Sequence, residues 1–207
     1  MIKIENIRCN ADWEAVIEGM RNAMESWELS DSDVVNGVPL LGPNDLFLMK
    51  RLIKAGDDES KFMRAITCSM DITAPLYWWK EFDTYKIGTV SLSTSTMHKI
   101  HAHEFVIGDF SHEHLNEHNK NVLLDTIHTL NDSRDVYLNS KNKNDWWQLI
   151  QMLPSTYMQK RKIFLNYQVL AHMYRQRKYH KLDEWREFCK AIKDFPYSEL
   201  FTGEENE

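Results

Sequence analysis

Two polar residues with binding chemistry, Asn166 and Arg177, lie in a stretch whose apolar residues recur every three or four positions. That spacing predicts a single helix over residues 159–177 with both polar residues on its buried face. Four apolar residues share that face: Ile163, Leu170, Met173 and Tyr174. A buried guanidinium needs a partner, and its planar fork of donors suits a carboxylate, a phosphate or a planar carbonyl. Arg177 therefore either binds a ligand or pairs with an acid such as Asp183 or Glu184.

The C-terminal part of the chain carries a spaced series of residues: Leu153-Pro154, Asn166-x-Gln168, His172, Arg177, His180 and Glu184-x-Arg186. The series resembles a region of the flavin-dependent thymidylate synthases, in which Leu-Pro precedes Asn-x-Arg and His-Ala-Gln-x-Glu-Ile-Arg closes the pattern. The resemblance implies that Asn166, Gln168 and His172 contact FAD. It also implies that Arg177 is the catalytic residue, which binds the base of dUMP and polarises its carbonyl group. Gln168 stands where the family has a flavin-contacting arginine.

A second resemblance to the same family covers residues 75–97. The family signature there runs Arg-His-Arg, two residues, Ser, one residue, Asn-Glu, one residue, Ser, one residue and Arg-Tyr. This chain keeps the spacing but has lost most of the charges: Thr84-Tyr85-Lys86 replaces Arg-His-Arg, Leu92 replaces the glutamate and Thr96 replaces the final arginine. The resemblance implies that Tyr85 and Lys86 contact the flavin. It implies contacts to the substrate nucleotide for four more residues: Glu81, Ser93, Thr94 and Ser95.

The missing charges matter for phosphate binding. Each charge-assisted donor to a phosphate contributes about 1.5–3 kcal/mol. Losing two or three lowers the affinity for a phosphate by several powers of ten unless other groups replace them. In this segment the candidates are Lys86 and the hydroxyls and amides of residues 93–95. The structural alternative is a half-buried strand whose hydroxyls hydrogen-bond within the protein.

Upstream, Ser60-Lys61-Phe62 lies where the family has Ser/Thr-Pro-Phe-Glu-His. Arg64 takes the place of that final histidine. Gly56-Asp57-Asp58 lacks the histidine that stacks on the ring system in the family. The resemblance thus spans residues 44–195, with the spacing kept and many identities changed.

The resemblance implies an α+β fold of the flavin-dependent thymidylate synthase kind, with a mixed sheet flanked by long helices. It implies a homotetramer that binds FAD and a pyrimidine nucleotide where subunits meet. In the implied reaction methylenetetrahydrofolate supplies one carbon, NADPH reduces the flavin, and hydride reaches the pyrimidine without an enzyme nucleophile. The eroded signature also supports an alternative, a catalytically silent nucleotide-binding or interaction protein on the same scaffold.

Histidines are concentrated in one segment, because six of the nine lie within residues 98–118. Two pairs, His101 with His103 and His114 with His118, have spacings that allow a shared metal ion. No HExxH motif occurs, and a solvated helix face explains the same pattern. We therefore predict no metal site and keep a histidine metal site as a third hypothesis.

The chain has 207 residues and a formal net charge of −6, which suits one compact domain and gives no basic field for nucleic acid. We expect a single domain over residues 1–207 with a disordered acidic tail at residues 202–207. The three cysteines, Cys9, Cys68 and Cys189, have no metal-binding spacing and favour free thiols in a reducing compartment. No apolar run approaches the roughly 18 residues of a membrane span. We therefore expect a cytoplasmic protein without membrane partners.

Local patterns predict the elements that position these residues. Alternation of apolar and polar residues predicts strands at residues 1–7 and 62–72 and an extended segment at 103–110. Helical periodicity and capping residues predict helices at residues 13–27, 46–55, 76–85, 112–131, 145–152, 159–177 and 182–193. Residues 30–43, with two glycines and two prolines, are predicted to form a loop.

Overall fold

In the computed structural model, which describes residues 1–203, the chain forms an α+β fold, as predicted. Its strands are β1 (Lys3–Asn10), β2 (Asp33–Val35), β3 (Val38–Leu40), β4 (Thr67–Pro75), β5 (Val90–Ser93) and β6 (Met158–Asn166). Its helices are α1 (Trp13–Arg21), α2 (Pro43–Ala55), α3 (Leu76–Phe82), α4 (Thr96–Lys99), α5 (Glu117–Ser140), α6 (Lys143–Met152), α7 (Tyr167–Arg177), α8 (Asp183–Ala191) and α9 (Glu199–Thr202). Four strands form an antiparallel sheet in the order β1-β4-β6-β5, and β2 and β3 form a separate hairpin.

Two compact units divide the chain. The α5 unit comprises Met1–Lys3, Ile72–Thr84 and Leu92–Lys162, and the α7 unit comprises Ile4–Asp71, Tyr85–Ser91 and residues 163–203. The predicted acidic tail lies, from residue 204 onward, outside the described residues.

The core of the α5 unit forms where α5 packs against α6. Seven buried side chains make up its centre: Ile100, Phe105, Phe110, Leu123, Ile127, Leu130 and Leu149. The side chain of Asn116 caps the N-terminus of α5 by accepting a hydrogen bond from the amide of Asn119. The helix therefore starts five residues later than predicted, because Asn116 supplies the cap that residue 112 lacks, and it continues to Ser140.

The α7 unit is built around α7, which packs against α8, α9 and the 3₁₀ turn Lys61–Arg64. Leu170, Met173 and Tyr174 are buried on α7 with the helical spacing that the sequence predicts. At the start of α1, the side chain of Asp12 caps the helix by accepting a hydrogen bond from the amide of Ala15. Local sequence therefore determines the buried face of α7 and the start of α1.

The single helix predicted over residues 159–177 is wrong. Residues up to Asn166 form β6, and α7 begins at Tyr167. Ile163 and Leu165 are buried within the strand, and Asn166 is the N-cap of α7 instead of a member of its buried face. The error has a physical cause, because the basic run before Ile163 favours a helix by local propensity. Pairing of β6 between β4 and β5 overrides that preference.

The loop predicted at residues 30–43 contains the β2–β3 hairpin. Asn36 and Gly37 at its tip have positive φ angles of 53° and 78°. A two-residue hairpin turn of type I′ requires positive φ at both positions, and Asn-Gly is its preferred sequence. The hairpin signal is therefore present in the sequence, but the prolines and glycines around it obscure it.

Several other boundaries differ from the predictions. The strand predicted at residues 62–72 begins at Thr67, after a 3₁₀ turn, and continues to Pro75. Helices α1 and α3 end earlier than predicted, at Arg21 and Phe82. Helix α2 begins at Pro43 instead of residue 46, since proline fits the first turn of a helix. Residues 103–110 hold a 3₁₀ turn and one isolated bridge in place of the extended segment.

A buried ion pair joins α1 to α2. The Nε atom of Arg21 donates to Oδ1 of Asp45 at 2.6 Å, and both side chains are almost fully buried. Oδ2 of Asp45 accepts further hydrogen bonds from the hydroxyls of Ser30 and Ser32 and from the amides of Asp31 and Ser32. Burial by itself raises the pKa of the Asp45 carboxyl, but these hydrogen bonds outweigh it and hold the pKa below its ordinary value of 3.8.

Candidate functional site

A pocket of about 360 Å³ lies in the α7 unit beside the N-terminal end of α7. Eight residues line it: Asp57, Arg64, Ile87, Gly88, Asn166, Gln168, Val169 and His172. Three of them, Asn166, Gln168 and His172, are residues for which the sequence predicts cofactor contacts. They come together because Asn166 caps α7 and the other two lie in its first two turns.

A second pocket of about 420 Å³ shares Gly88 and Asn166 with the first. Its other lining residues come from the strands and the turns beside them: Asn10, Thr67, Cys68, Ser69, Val90, Phe164 and Leu165. The two cavities therefore meet at Gly88 and Asn166. Two charged side chains, Asp57 and Arg64, line the first cavity, whereas the residues that line the second carry no charge.

The backbone at Gly88 approaches Asn166 closely. Oδ1 of Asn166 accepts a hydrogen bond from the amide of Val169 at 3.1 Å, so the side-chain NH₂ group points the other way. A Cβ atom on Gly88 would lie 3.2 Å from Nδ2 of Asn166 and 3.0 Å from Cγ2 of Val169. Gly88 also has a φ of +76°, in the region that favours glycine. Only glycine fits here without moving the wall of the pocket.

Gly88→Ala is expected to lower the free energy of unfolding by about 1–3 kcal/mol. The left-handed backbone costs alanine about 1–2 kcal/mol, and the contacts with Val169 and Asn166 add to that cost. Urea denaturation measures the change. Gly19→Ala in α1 is the matched control, because its Cβ would meet nothing within 4 Å. The control is expected to stabilise the protein by up to about 1 kcal/mol, as alanine does in a helix interior. Equal stabilities for the two variants would contradict the geometry at Gly88.

A chain of polar contacts crosses the first pocket. Nε of Arg64 donates to Oε1 of Gln168, and Nε2 of Gln168 donates to the backbone oxygen of Asp57 at 3.1 Å. The carboxylate of Asp57 lies 2.8 Å from Nε2 of His172 and 3.9 Å from Nη2 of Arg175. These contacts fix the direction in which each side chain of the pocket points.

Arg177 lies at the opposite end of α7 in an aromatic cluster. Its Nε donates to the hydroxyl of Tyr85 at 2.9 Å, and its guanidinium carbon lies 4.8 Å from the centre of the Trp185 ring. The hydroxyl of Tyr85 donates in turn to Oε1 of Gln176 at 2.9 Å. Trp185 is fully buried, whereas Arg177 is only half-buried. The cluster therefore holds the guanidinium in a fixed orientation near the surface.

Two lysines lie near an aromatic ring at this end of α7. Nζ of Lys178 lies 5.3 Å from the centre of the Tyr174 ring, and Nζ of Lys193 lies 5.9 Å from it. Burial raises the pKa of the Cys189 thiol to about 12, although Lys193, Arg177 and Lys178 each lower it. Arg177, Lys178 and Lys193 thus lie close to one another near the C-terminal end of α7.

The remaining predicted site residues are distributed over both units. Lys86 is exposed in the α7 unit. In the α5 unit, Glu81 is half-buried on α3 and Ser93 is exposed at the end of β5. The Thr94 hydroxyl donates to the backbone oxygen of Lys160 at 3.1 Å. The Ser95 hydroxyl caps α4 by accepting from the amide of His98 at 3.1 Å. The hydroxyls of Thr94 and Ser95 therefore already have backbone partners.

Five pocket residues received no role from the sequence: Asp57, Arg64, Ile87, Gly88 and Val169. Asp57 and Arg64 stand where the family that this chain resembles has histidines. The resemblance therefore singled out both positions, although it gave neither residue a role. Their partners on α7 lie more than 100 residues away, and no local pattern connects residues at that separation. Gly88 carries no side chain, and its role depends on the packing of Asn166 and Val169 against it.

Other chemistry can be judged on the described residues. All three cysteines are free thiols. Among residues 1–203, no three His, Cys, Asp or Glu side chains group together in a way that could hold a metal ion. No helix between Met1 and Gly203 has the length and apolar character needed to cross a bilayer.

No protein-family model and no curated protein matches the chain. Solved structures do match it over nearly its whole length. ThyX from Helicobacter pylori, a thymidylate synthase crystallised with FAD and dUMP, is 17% identical with a TM-score of 0.69, and the match covers 98% of this chain and 97% of that one. The UMP/dUMP methylase PolB from Streptomyces cacaoi, bound with 5-Br dUMP, is 12% identical with a TM-score of 0.64, and the match covers 98% and 95%. This chain therefore has the fold of the flavin-dependent thymidylate synthases.

Proposed function

We propose that the protein binds FAD and a pyrimidine nucleotide and transfers one carbon reductively to a dUMP-like substrate. The observation that carries the proposal is the meeting of two cavities at Gly88 and Asn166, where Gln168 and His172 also line the wall. The resemblance implies flavin contacts for Asn166, Gln168 and His172, and their position in one pocket supports the proposal. The similarity of fold to ThyX and PolB supports the same ligand classes.

The residues at this junction fit a flavin. A planar ring system requires a wall of fixed shape, and Gly88 packs closely against Asn166 and Val169 in the wall of this pocket. It also requires hydrogen-bond donors at its polar edge, and the side-chain NH₂ of Asn166 is directed by the cap on α7. Asn166, Gln168 and His172 would hold FAD here, with Tyr85 and Lys86 as further proposed contacts. Bound FAD, reduced by NADPH, supplies the reducing equivalents, and methylenetetrahydrofolate supplies the carbon.

Arg177 is the proposed catalytic residue. Tyr85 and Trp185 fix its guanidinium, so a base carbonyl could accept hydrogen bonds from it without further ordering of the side chain. A fixed cation beside that carbonyl would stabilise the negative charge that develops on the pyrimidine ring. Glu81, Ser93, Thr94 and Ser95 are the proposed contacts to the rest of the nucleotide.

Asn166 and Arg177 mark two separate places on one subunit. Eleven residues of α7 separate them, which corresponds to about 16 Å along the helix axis. A homotetramer that brings the Arg177 cluster of one subunit to the pocket of another would place both beside one ligand set. The proposed site therefore lies where subunits meet.

A silent nucleotide-binding protein is the second candidate function. It is favoured by the contacts of the eroded signature segment, because the Tyr85 hydroxyl is committed to Gln176 and Arg177. Thr94 and Ser95 likewise use their hydroxyls within the protein. Such a protein would bind the nucleotide but would neither retain FAD nor turn over.

Binding of FAD is expected to raise the melting temperature of the protein. At a ligand concentration one hundred times the Kd, the stabilisation is about 2.7 kcal/mol, which corresponds to about 5–10 °C for a chain of this size. The measurements are the visible absorbance of the purified protein and thermal melts with FAD, with dUMP and with both. Formation of a methylated pyrimidine nucleotide from dUMP, methylenetetrahydrofolate and NADPH tests turnover.

The three outcomes separate the candidates. Shifts with FAD and with dUMP, together with turnover, support the proposed enzyme. A shift with dUMP alone supports the silent nucleotide-binding protein. No shift with either ligand contradicts both, since each requires a nucleotide site.

A further inference from the structure

The family that this chain resembles has a flavin-contacting arginine on the helix that corresponds to α7. The first pocket lacks that arginine. Gln168 stands at that position, and it is almost fully buried. A glutamine offers no charge to a phosphate group, so a pocket that binds nucleotides needs its cation from elsewhere.

Arg64 reaches the same place from a different element. It belongs to the 3₁₀ turn Lys61–Arg64 and lines the pocket beside Gln168. Its Nε donates to Oε1 of Gln168, although the two residues are 104 positions apart in the sequence. The guanidinium therefore lies where the side chain at position 168 ends.

Gln168 fixes the orientation of this guanidinium. Its own Nε2 is bound to the backbone oxygen of Asp57 at 3.1 Å, which directs Oε1 towards Arg64. Among residues 1–203, no protein group hydrogen-bonds to the two Nη atoms of Arg64. One edge of the guanidinium is thus held by Gln168, and the paired Nη donors remain available to a ligand. Such a pair suits the bidentate binding of a phosphate.

The Asp57 carboxylate, which lines the same pocket, is not paired with Arg64. Asp57 directs its side chain to His172 at 2.8 Å and to Arg175 at 3.9 Å. Its backbone oxygen, and not its carboxylate, contacts Gln168. The Asp57 carboxylate therefore has its partners on α7, in His172 and Arg175. The guanidinium of Arg64 lines the pocket.

We propose that Arg64 binds a phosphate group of the nucleotide ligand in this pocket and that Gln168 is its positioning residue. The inference rests on the proposed function, because it assumes that the pocket takes a nucleotide. The phosphate belongs either to FAD or to the substrate nucleotide, and both present the same chemistry to a guanidinium. In the family the cation is an arginine on the helix, whereas here Arg64 of the 3₁₀ turn supplies it. Its contact with Gln168 keeps the cation at the same place in the pocket.

The test compares ligands with and without phosphate on the full-length protein. Arg64→Gln is expected to weaken binding of the phosphate-bearing ligand about 10- to 100-fold, as the loss of charge-assisted hydrogen bonds does. FAD is compared with riboflavin, and dUMP with deoxyuridine, by fluorescence titration and calorimetry. A loss for FAD with riboflavin unchanged assigns the FAD phosphates, and a loss for dUMP with deoxyuridine unchanged assigns the substrate phosphate.

Three further variants sharpen the comparison. Lys61→Gln removes the same charge from the same turn, at an exposed residue outside the pocket lining, and is expected to leave all four affinities unchanged. Gln168→Leu removes the contact that positions Arg64, together with the bond to the backbone oxygen of Asp57, and is expected to lower the affinity for the phosphate-bearing ligand more than the affinity for its phosphate-free partner. The double variant Arg64→Gln, Gln168→Arg returns the cation to the helix and is expected to recover most of the affinity lost in Arg64→Gln.

The outcomes separate this inference from the proposed function. If wild-type protein binds the nucleotides and Arg64→Gln binds them equally well, the inference is overturned and the proposed function stands. Equal losses for a nucleotide and its phosphate-free partner also overturn it, because Arg64 would then act on the ring system or on the fold. Failure of the wild-type protein to bind any of the four ligands overturns both.

Discussion

Asp45→Ala is expected to lower the free energy of unfolding by about 3–5 kcal/mol, the cost of removing one partner of a buried ion pair. The substitution leaves the guanidinium of Arg21 buried without its carboxylate. It also removes the acceptor for the hydroxyls of Ser30 and Ser32 and for two backbone amides. The segment between α1 and α2 is therefore expected to lose its fixed conformation. Urea denaturation followed by circular dichroism measures the loss.

Two comparisons test the cause of this loss. Asp33→Ala removes an exposed carboxylate from the β2–β3 hairpin, which lies between α1 and α2 in the sequence, and is expected to change stability by less than about 0.5 kcal/mol. The double variant Arg21→Met, Asp45→Leu removes both charges and is expected to recover only part of the loss, because the donors of residues 30–32 still lack an acceptor. A loss below about 1 kcal/mol in Asp45→Ala would show that water reaches this ion pair.

The same carboxylate gives the stability a pH dependence of known sign. Since the folded state holds the pKa of Asp45 below 3.8, the ionised carboxylate stabilises the protein fully at pH values well above 3.8. This contribution is lost as the pH falls through the lowered pKa of the folded state. Asp45→Asn cannot ionise, so the difference in stability between it and the wild type is expected to shrink towards acid pH. A constant difference would contradict the lowered pKa.

Arg177→Ala is expected to weaken binding of dUMP by about 10- to 100-fold while leaving the fold intact. The loss follows from the proposed hydrogen bonds between the guanidinium and the base carbonyl, since a bond to a charged donor contributes about 1.5–3 kcal/mol. The stability cost is expected to be about 1 kcal/mol, the scale of a partly exposed contact between a cation and an aromatic ring. Calorimetric titration with dUMP and urea denaturation measure the two effects separately.

The structural alternative for Arg177 predicts the reverse pattern. If the arginine serves only to pack Tyr85 against Trp185, the unfolding free energy falls and the affinity for dUMP hardly changes. Arg177→Lys keeps the charge but loses the planar fork of donors, so it is expected to keep the stability and lose affinity for the base. Tyr85→Phe removes the hydroxyl that holds Nε and is expected to have a smaller effect in the same direction. Lys190→Ala, an exposed change of equal charge on α8, serves as the control.

Local patterns in the sequence were sufficient for part of this molecule. The α+β class, the Asp12 cap and the buried residues Leu170, Met173 and Tyr174 follow from periodicity and capping within one element. Such features depend on neighbours within a few positions, and that is the range over which local patterns carry information. The grouping of Asn166, Gln168 and His172 came from the family resemblance and not from a local pattern, and the structure brings the three residues to one pocket.

Contacts between distant residues were decided only by the tertiary structure. Residues 159–166 favour a helix locally and form β6 because β4 and β5 offer backbone partners on both sides. Arg64 meets Gln168 across 104 positions, and Tyr85 meets Arg177 across 92. The sequence by itself determined the residue types and spacing of a candidate nucleotide site. Which cation enters its pocket, and which aromatic rings hold Arg177, depended on packing between elements that no local pattern encodes.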